Sequence, residues 1–144
     1  MTNNGTDVGY TPEVDYCGSD SFGYVVTDGV LTDTATVGVS VVCINDAPVS
    51  ADDDATTDED MAVTIDVLAN DTDVEGDSLS VASVTQPDHG GVTNNGADVA
   101  YSPEADYCGS DSFSYVVTDG LLSAGVMVDV SVVCVNDAPV AVAD

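Results

Sequence analysis

Lysine and arginine are absent from all 144 residues, and His89 is the only side chain able to carry positive charge. Against it stand 27 acidic residues, for a formal net charge of -27. Without cations to displace phosphate counterions, the chain has no means of binding nucleic acid, and anionic membrane surfaces repel it. No run approaches the ~18 consecutive apolar residues of a membrane helix, so membrane insertion is not expected. Tryptophan is also absent, and the six tyrosines fall at repeated, core-like positions. That leaves little for an exposed aromatic platform of the kind a glycan- or protein-binding adhesin module would use. The opening Met1-Thr-Asn-Asn-Gly shows neither the basic nor the apolar region of a secretory signal, so export is not read from it. The four cysteines form no Cys-x-x-Cys pair and have no histidine cluster beside them. They read as disulfides rather than a zinc site, which implies an oxidising, extracellular or cell-surface location. One histidine, in the turn Gln86-Pro-Asp-His-Gly-Gly, leaves no Ser/His/Asp arrangement, and paired Asp-Thr-Gly motifs are missing. The chain is expected not to be an enzyme.

What is present is order and repetition. A hydrophobic share of 44% is too high for a disordered acidic tail. The octapeptide DYCGSDSF is written twice, at 15–22 and at 106–113, and residues 1–53 lie over 92–144 without a gap, with most positions identical. Residues 54–91 occur once. Self-similarity at this spacing marks a string of whole domains rather than a solenoid. The expected division is 1–48 as the C-terminal part of one repeat, 49–139 as a complete repeat, and 140–144 as the start of the next.

Each repeat reads as strands. Val63, Ile65 and Val67 alternate with Thr64 and Asp66, and Leu79, Val81 and Ser83 continue the two-residue period in the next strand. Phe113, Tyr115 and Val117 share a face; so do Val126, Val128, Val130, Val132 and Cys134, and in the other copy Val37, Val39, Val41 and Cys43. Asn95-Gly96 suggests a type I′ hairpin turn. No segment carries a helical period. About seven short strands describe an all-β protein of tandem Ig-like, cadherin-like antiparallel β-sandwich repeats. NDAPV, at 45–49 and again at 136–140, supplies a stiff proline hinge after each last strand. Residues 1–49 lack the first strands of their sandwich, which predicts an open edge and an uncovered core face that upstream chain or another copy must complete.

Two copies of one unit should close the same loop, so Cys17 is expected to join Cys43 and Cys108 to join Cys134; the alternative is unpaired buried thiols. Each closure contributes about 3.5 kcal/mol on the chain-entropy estimate. The acidic residues, all aspartate but four, point to loop-borne cation ligands. In Asn70–Asp77 the carboxylates of Asp71, Asp73, Glu75 and Asp77 alternate around Gly76. Such a loop suits Ca2+, which takes six to eight oxygens in irregular geometry, better than Mg2+. It begins like an EF-hand, but Ala82 stands where the closing glutamate belongs, and no helices flank it. Asp52–Asp54, Asp58, Asp60, Asn45 and Asp46 are expected to crowd the same junction, with Asn136 and Asp137 at the following hinge. The plainer reading of all of them is a solvated, salt-adapted surface.

The run from Asn45 through DVLANDTDVEGD, followed by YSPEADYCGSDSF, resembles the tandem cadherin-like, bacterial Ig-like repeats of large secreted surface proteins, of the VCBS and RTX-adhesin type. The resemblance spans the chain. It implies extracellular sandwiches strung into calcium-stiffened stalks or fibres for adhesion and biofilm, with calcium roles for Asp71, Asp73 and Asp77 and for the hinges Asn45–Asp46 and Asn136–Asp137. Cadherins carry Asn-Asp-Asn at that hinge and an arginine in an acidic motif; here Ala47 and Ala138 replace the second asparagine, and arginine is absent. The expected function is that of an extracellular structural repeat whose partners are neighbouring repeats or other copies. The alternatives are a filament subunit joined by strand complementation and an adhesin module for a surface receptor or glycan.

Overall fold

The computed structural model describes residues 1–139, so the expected third repeat at 140–144 lies outside the described residues. The chain forms two compact units, Met1–Ile44 and Asn45–Asp144.

The second unit is a complete sandwich of two sheets. Its strands are β5 (Asp53–Asp58), β6 (Val63–Ile65), β7 (Ser80–Val84), β8 (Gly90–Asn94), β9 (Val99–Pro103), β10 (Gly109–Thr118) and β11 (Ser123–Val133). One sheet has the order β5-β11-β10-β7 and the other β6-β9-β8. All ladders are antiparallel except β5 on β11, which is parallel. Alternation decides which face is inside: along β11 every second residue from Val126 to Val132 is buried, and β10 does the same with Phe113, Tyr115 and Val117. Val81, Val92, Val99, Tyr101 and Ile65 close the core from the other strands.

Two local expectations change. β6 ends at Ile65, and Val67 lies in a turn, although it is fully buried (0% exposed). The Asn-Gly hairpin is not type I′, because only Gly96 has positive φ (87°). The register pairs Asn94 with Val99, so a four-residue loop intervenes, in which Asn94 Oδ1 accepts from Gly96 N at 2.7 Å.

The first unit contains the equivalents of the last four strands alone. β1 (Thr2–Asn3) pairs with β2 (Val8–Gly9), and β3 (Gly18–Thr27) pairs with β4 (Thr32–Val41), as two separate two-stranded sheets. None of its residues is buried. Both expected disulfides are formed, Cys17–Cys43 and Cys108–Cys134.

Candidate functional site

In the complete unit the second copy of the repeated residues holds the fold. Asp106 takes a left-handed conformation (φ 59°) and the Tyr107 hydroxyl donates to the Ser110 carbonyl at 2.7 Å. Gly109 (φ 142°) is needed where the chain passes Tyr107, since a Cβ there would sit 3.1 Å from that hydroxyl. Asp111, 8% exposed, accepts from the Tyr101 hydroxyl (2.9 Å) and from the backbone N–H groups of Asp88, His89 and Ser112. Burial, then the bond to Asp111, pushes the Tyr101 hydroxyl pKa well above its usual value. Tyr101 in turn stacks on Phe113, ring centroids 6.3 Å apart. In the complete unit DYCGSDSF is therefore a staple of turn, disulfide and buried carboxylate. Asp111 could have been singled out by its place in the repeated frame, yet nothing in the linear spacing says that it is buried.

The acidic loop folds back onto the hinge. Val49 and Thr72 exchange two backbone hydrogen bonds, 2.8 and 2.9 Å. Asp71, 9% exposed, accepts from Ala51 N (3.0 Å) and from the Tyr115 hydroxyl (2.9 Å). That hydroxyl also lies 2.6 Å from the Val67 carbonyl and 3.1 Å from Asp53 Oδ2. One hydroxyl proton faces three oxygens. The Asp53 carboxyl is held above the usual range by burial first, with the Asp71 charge adding and the Tyr115 hydrogen bond opposing. Burial, then the bond to Asp71, pushes the Tyr115 hydroxyl far up.

Asp73 Oδ1 caps the loop by accepting from Glu75 N (3.0 Å) and Asp77 N (3.1 Å), with Gly76 at φ 77° completing the turn. Asp73 Oδ2 is buried without a hydrogen-bond partner. Glu75 Oε2 accepts from Asp46 N at 3.2 Å, and Asn45 Nδ2 donates to the Asp46 carbonyl and to Asp119 Oδ2 (2.8 Å). Asp119, half-buried in the β10–β11 turn, has its pKa lowered by the Asn45 bond first and then by the N–H groups of Leu121 and Leu122. Asn45, Asp46, Asp71, Asp73, Glu75 and Asp77 are thus gathered at one end of the sandwich, joined there by Asp53 and Asp119.

Asp58 and Asp60 are not among them. β5 runs parallel to β11, so Asp53 pairs beside Val128 and Asp58 beside Val133, and at about 3.3 Å per residue the strand carries the second acidic group to the opposite end. There Asp60 (φ 63°) accepts from Asp106 N at 3.1 Å, and the carboxylate of Glu59, 9% exposed, accepts from Val135 N. Asn136 follows directly and donates to the Asp137 carbonyl (3.1 Å), repeating the Asn45–Asp46 geometry. The acidic groups therefore divide between the two ends of the complete unit instead of crowding one junction.

Whether these donors suit a cation depends on convergence. One orphaned carboxylate oxygen, Asp73 Oδ2, is the kind of atom a hard cation satisfies. The oxygens of Asp71 and Asp73 Oδ1 already accept protein donors, and among the described residues no three His, Cys, Asp or Glu side chains converge on a metal position. His89 stacks on Tyr107 at 4.2 Å and sits 4.0 Å from Glu104, an exposed pair of little energetic weight.

Among curated proteins, Protein GAMETE EXPRESSED 2 of Arabidopsis thaliana is 33% identical over 72 residues, covering 50% of this chain and 8% of that protein. Among solved structures, the endo-fucoidan hydrolase MfFcnA4 of glycoside hydrolase family 107 aligns at TM-score 0.45 and 21% identity, over 83% of this chain and 19% of that one. Its counterpart MfFcnA9 aligns at 0.39 and 20%, over 84% and 23%. The chain thus spans less than a quarter of each protein it resembles. Residues 45–131 match the family described as Bacterial Ig domain, and with the seven-stranded sandwich just described, the chain belongs to that family.

Proposed function

We propose that this protein is a structural module of an extracellular stalk or fibre, with no catalytic role. One observation carries the reading: in the complete unit the sandwich is stapled by residues that are written twice in the sequence, Tyr101, Tyr107, Cys108, Gly109, Asp111 and Phe113. A spacer needs the same unit again, whereas a binding site gains nothing from repeating its scaffold. The two disulfides and the family suit an extracellular setting.

The finer reading is a calcium-stabilised surface adhesin or biofilm component. It is supported by the net charge of -27 and by the orphaned Asp73 Oδ2 at the hinge end. Asp71, Asp73, Glu75, Asp77, Asn45 and Asp46 would hold the ion there; Asp58, Asp60, Asn136 and Asp137 would serve the far end. A bound ion would supply charge neutralisation and no chemistry.

Single-molecule stretching of the full chain tests the spacer reading. The complete unit is expected to give one cooperative unfolding event, and reduction of Cys108–Cys134 should add about 3.4 Å of length for each of the 26 residues in its loop. A unit that extends without a resolved event, like an unstructured chain, overturns it.

A further inference from the structure

One side of the complete sandwich is set apart by its lack of charge. From Ser78 to Ala97 the only acidic residue is Asp88, in a chain of net charge -27. That stretch supplies β7 and β8, each the last strand of its sheet. The opposite side ends in β5, which carries Asp53, Asp54 and Asp58, and in the three-residue β6. An uncharged edge strand with free backbone groups is a template for pairing with another chain. Two copies meeting along β7 or β8 would set few carboxylates against each other.

Side-chain amides close this side. β7 is met by the β8–β9 turn: Val81 N donates to the Gly96 carbonyl (2.8 Å), and Asn94 Nδ2 donates to the Val81 carbonyl (2.9 Å). A register shift opposite Val116 and Val117 also interrupts β7, so it offers no regular ladder. β8 is regular, pairing with β9 from Gly90–Pro103 to Asn94–Val99, and among the described residues no strand lies beyond it. Antiparallel alternation turns the backbone groups of Gly90, Val92 and Asn94 away from β9. Gln86 takes the middle pair. Its Nε2 donates to the Val92 carbonyl and its Oε1 accepts from Val92 N, both at 2.9 Å. One amide thus provides the donor and the acceptor that a neighbouring strand would provide. Gln86 is itself exposed, so core packing does not account for its placement.

We propose that Gln86 is an edge lock, which keeps β8 from pairing with the β8 of a second copy of this chain. The pairing it prevents is antiparallel and two-fold symmetric about Val92. In it Val92 exchanges both backbone hydrogen bonds with Val92 of the second copy, and Gly90 faces Asn94. A second copy is the fitting occupant because Gly90–Asn94 is neutral and has two glycines, so like meets like at no local charge penalty. A basic partner, which a net charge of -27 attracts elsewhere, finds no row of carboxylates on β8.

The test follows the full 144-residue chain as wild type, Gln86→Ala and Gln86→Glu over rising protein concentration, by sedimentation and by hydrogen exchange of the Val92 amide. Gln86→Ala should speed that exchange about five- to tenfold in dilute solution, the fold-change of one lost hydrogen bond. As concentration rises this variant should associate beyond the wild type, more so in added sodium chloride, and Val92 should become protected again. Gln86→Glu keeps the acceptor, lacks the donor and places a charge on the edge, so it should associate no more than the wild type. Retained protection over 109–118 and 123–133 shows that the sandwich is intact. If Gln86→Ala loses it, Gln86→Met, which keeps the stem without the amide, takes its place. The proposal is overturned if neither variant keeps the sandwich, or if Val92 exchange is unchanged without the amide. It is overturned equally if that exchange stays fast at every concentration, or if Gln86→Glu associates as strongly as Gln86→Ala.

Discussion

Tyr115 and Tyr24 hold the same place in the repeated frame, and their surroundings make them opposite cases. The Tyr115 hydroxyl is buried among Asp71, Asp53 and the Val67 carbonyl, whereas Tyr24 is 39% exposed. Removing a donor that leaves buried acceptors unsatisfied costs about 1–3 kcal/mol. Tyr115→Phe should lower the urea midpoint of the complete unit accordingly, while Tyr24→Phe should stay within about 0.5 kcal/mol, as surface changes do. The same cluster sets a pH dependence. Asp53 has a folded-state pKa raised above its unfolded value, chiefly by burial. Its protonated form is favoured on folding, so stability falls as pH rises from the unfolded value through the folded one, and the cost is fully present at neutral pH. Asp53→Asn, which keeps an acceptor for Tyr115, should therefore stabilise the unit at pH 7, with the gain fading as pH drops through that window. Equal gains at pH 7 and pH 3 in denaturant titrations would show that Asp53 charge is not the cause. Asp119 has the opposite sign: its pKa is lowered, first by Asn45, so its contribution is present above the unfolded value and lost as pH falls through the folded one. Asn45→Ala should move the Asp119 titration upward when followed by NMR.

Between elements, close approach and covalent closure matter most. β8 crosses β9 so tightly that a Cβ on Gly90 would lie 2.7 Å from the Ser102 carbonyl oxygen and 2.8 Å from the Tyr101 ring. Neither the backbone nor a buried ring can yield freely, so Gly90→Ala should cost about 1–3 kcal/mol. The Cys108–Cys134 bridge closes the β10–β11 hairpin at the centre of the larger sheet. Replacing both cysteines by alanine should cost about 3.5 kcal/mol of unit stability. The same change at Cys17 and Cys43 should leave that transition in place, because no buried core rests on the first hairpin. Thermal melts of the two double variants separate these outcomes.

For the whole molecule the governing quantity is charge. With no lysine or arginine, the nearest charged neighbour of each carboxylate is almost always another carboxylate. A cation that binds only the folded loop adds RT ln(1 + [L]/Kd), about 2.7 kcal/mol at a hundred times Kd. Melting should rise by several degrees in millimolar calcium and fall in chelator, with magnesium doing much less. Asp73→Ala should abolish most of the shift and Asp88→Ala should not. If sodium chloride at equal ionic strength moves the melting point as far, the carboxylates act only as a solvated surface.

The linear sequence alone determined the fold class, the repeat and the disulfide pairing. Alternation along Val126–Val132 and the duplication of each cysteine with its strand are local signals that survive without knowledge of packing. Only the tertiary structure decided the fate of the carboxylates. A parallel β5–β11 ladder sends Asp58 and Asp60 to the end opposite Asp71, which no spacing announces, since parallel and antiparallel pairing share one side-chain period. Asp71 and Asp111 are buried because tyrosine hydroxyls from other elements reach them, at sequence separations of 44 and 10. The same letters at Tyr24 and Tyr115 end in solvent and in the core, because burial belongs to the strands that cover a residue and not to the residue itself.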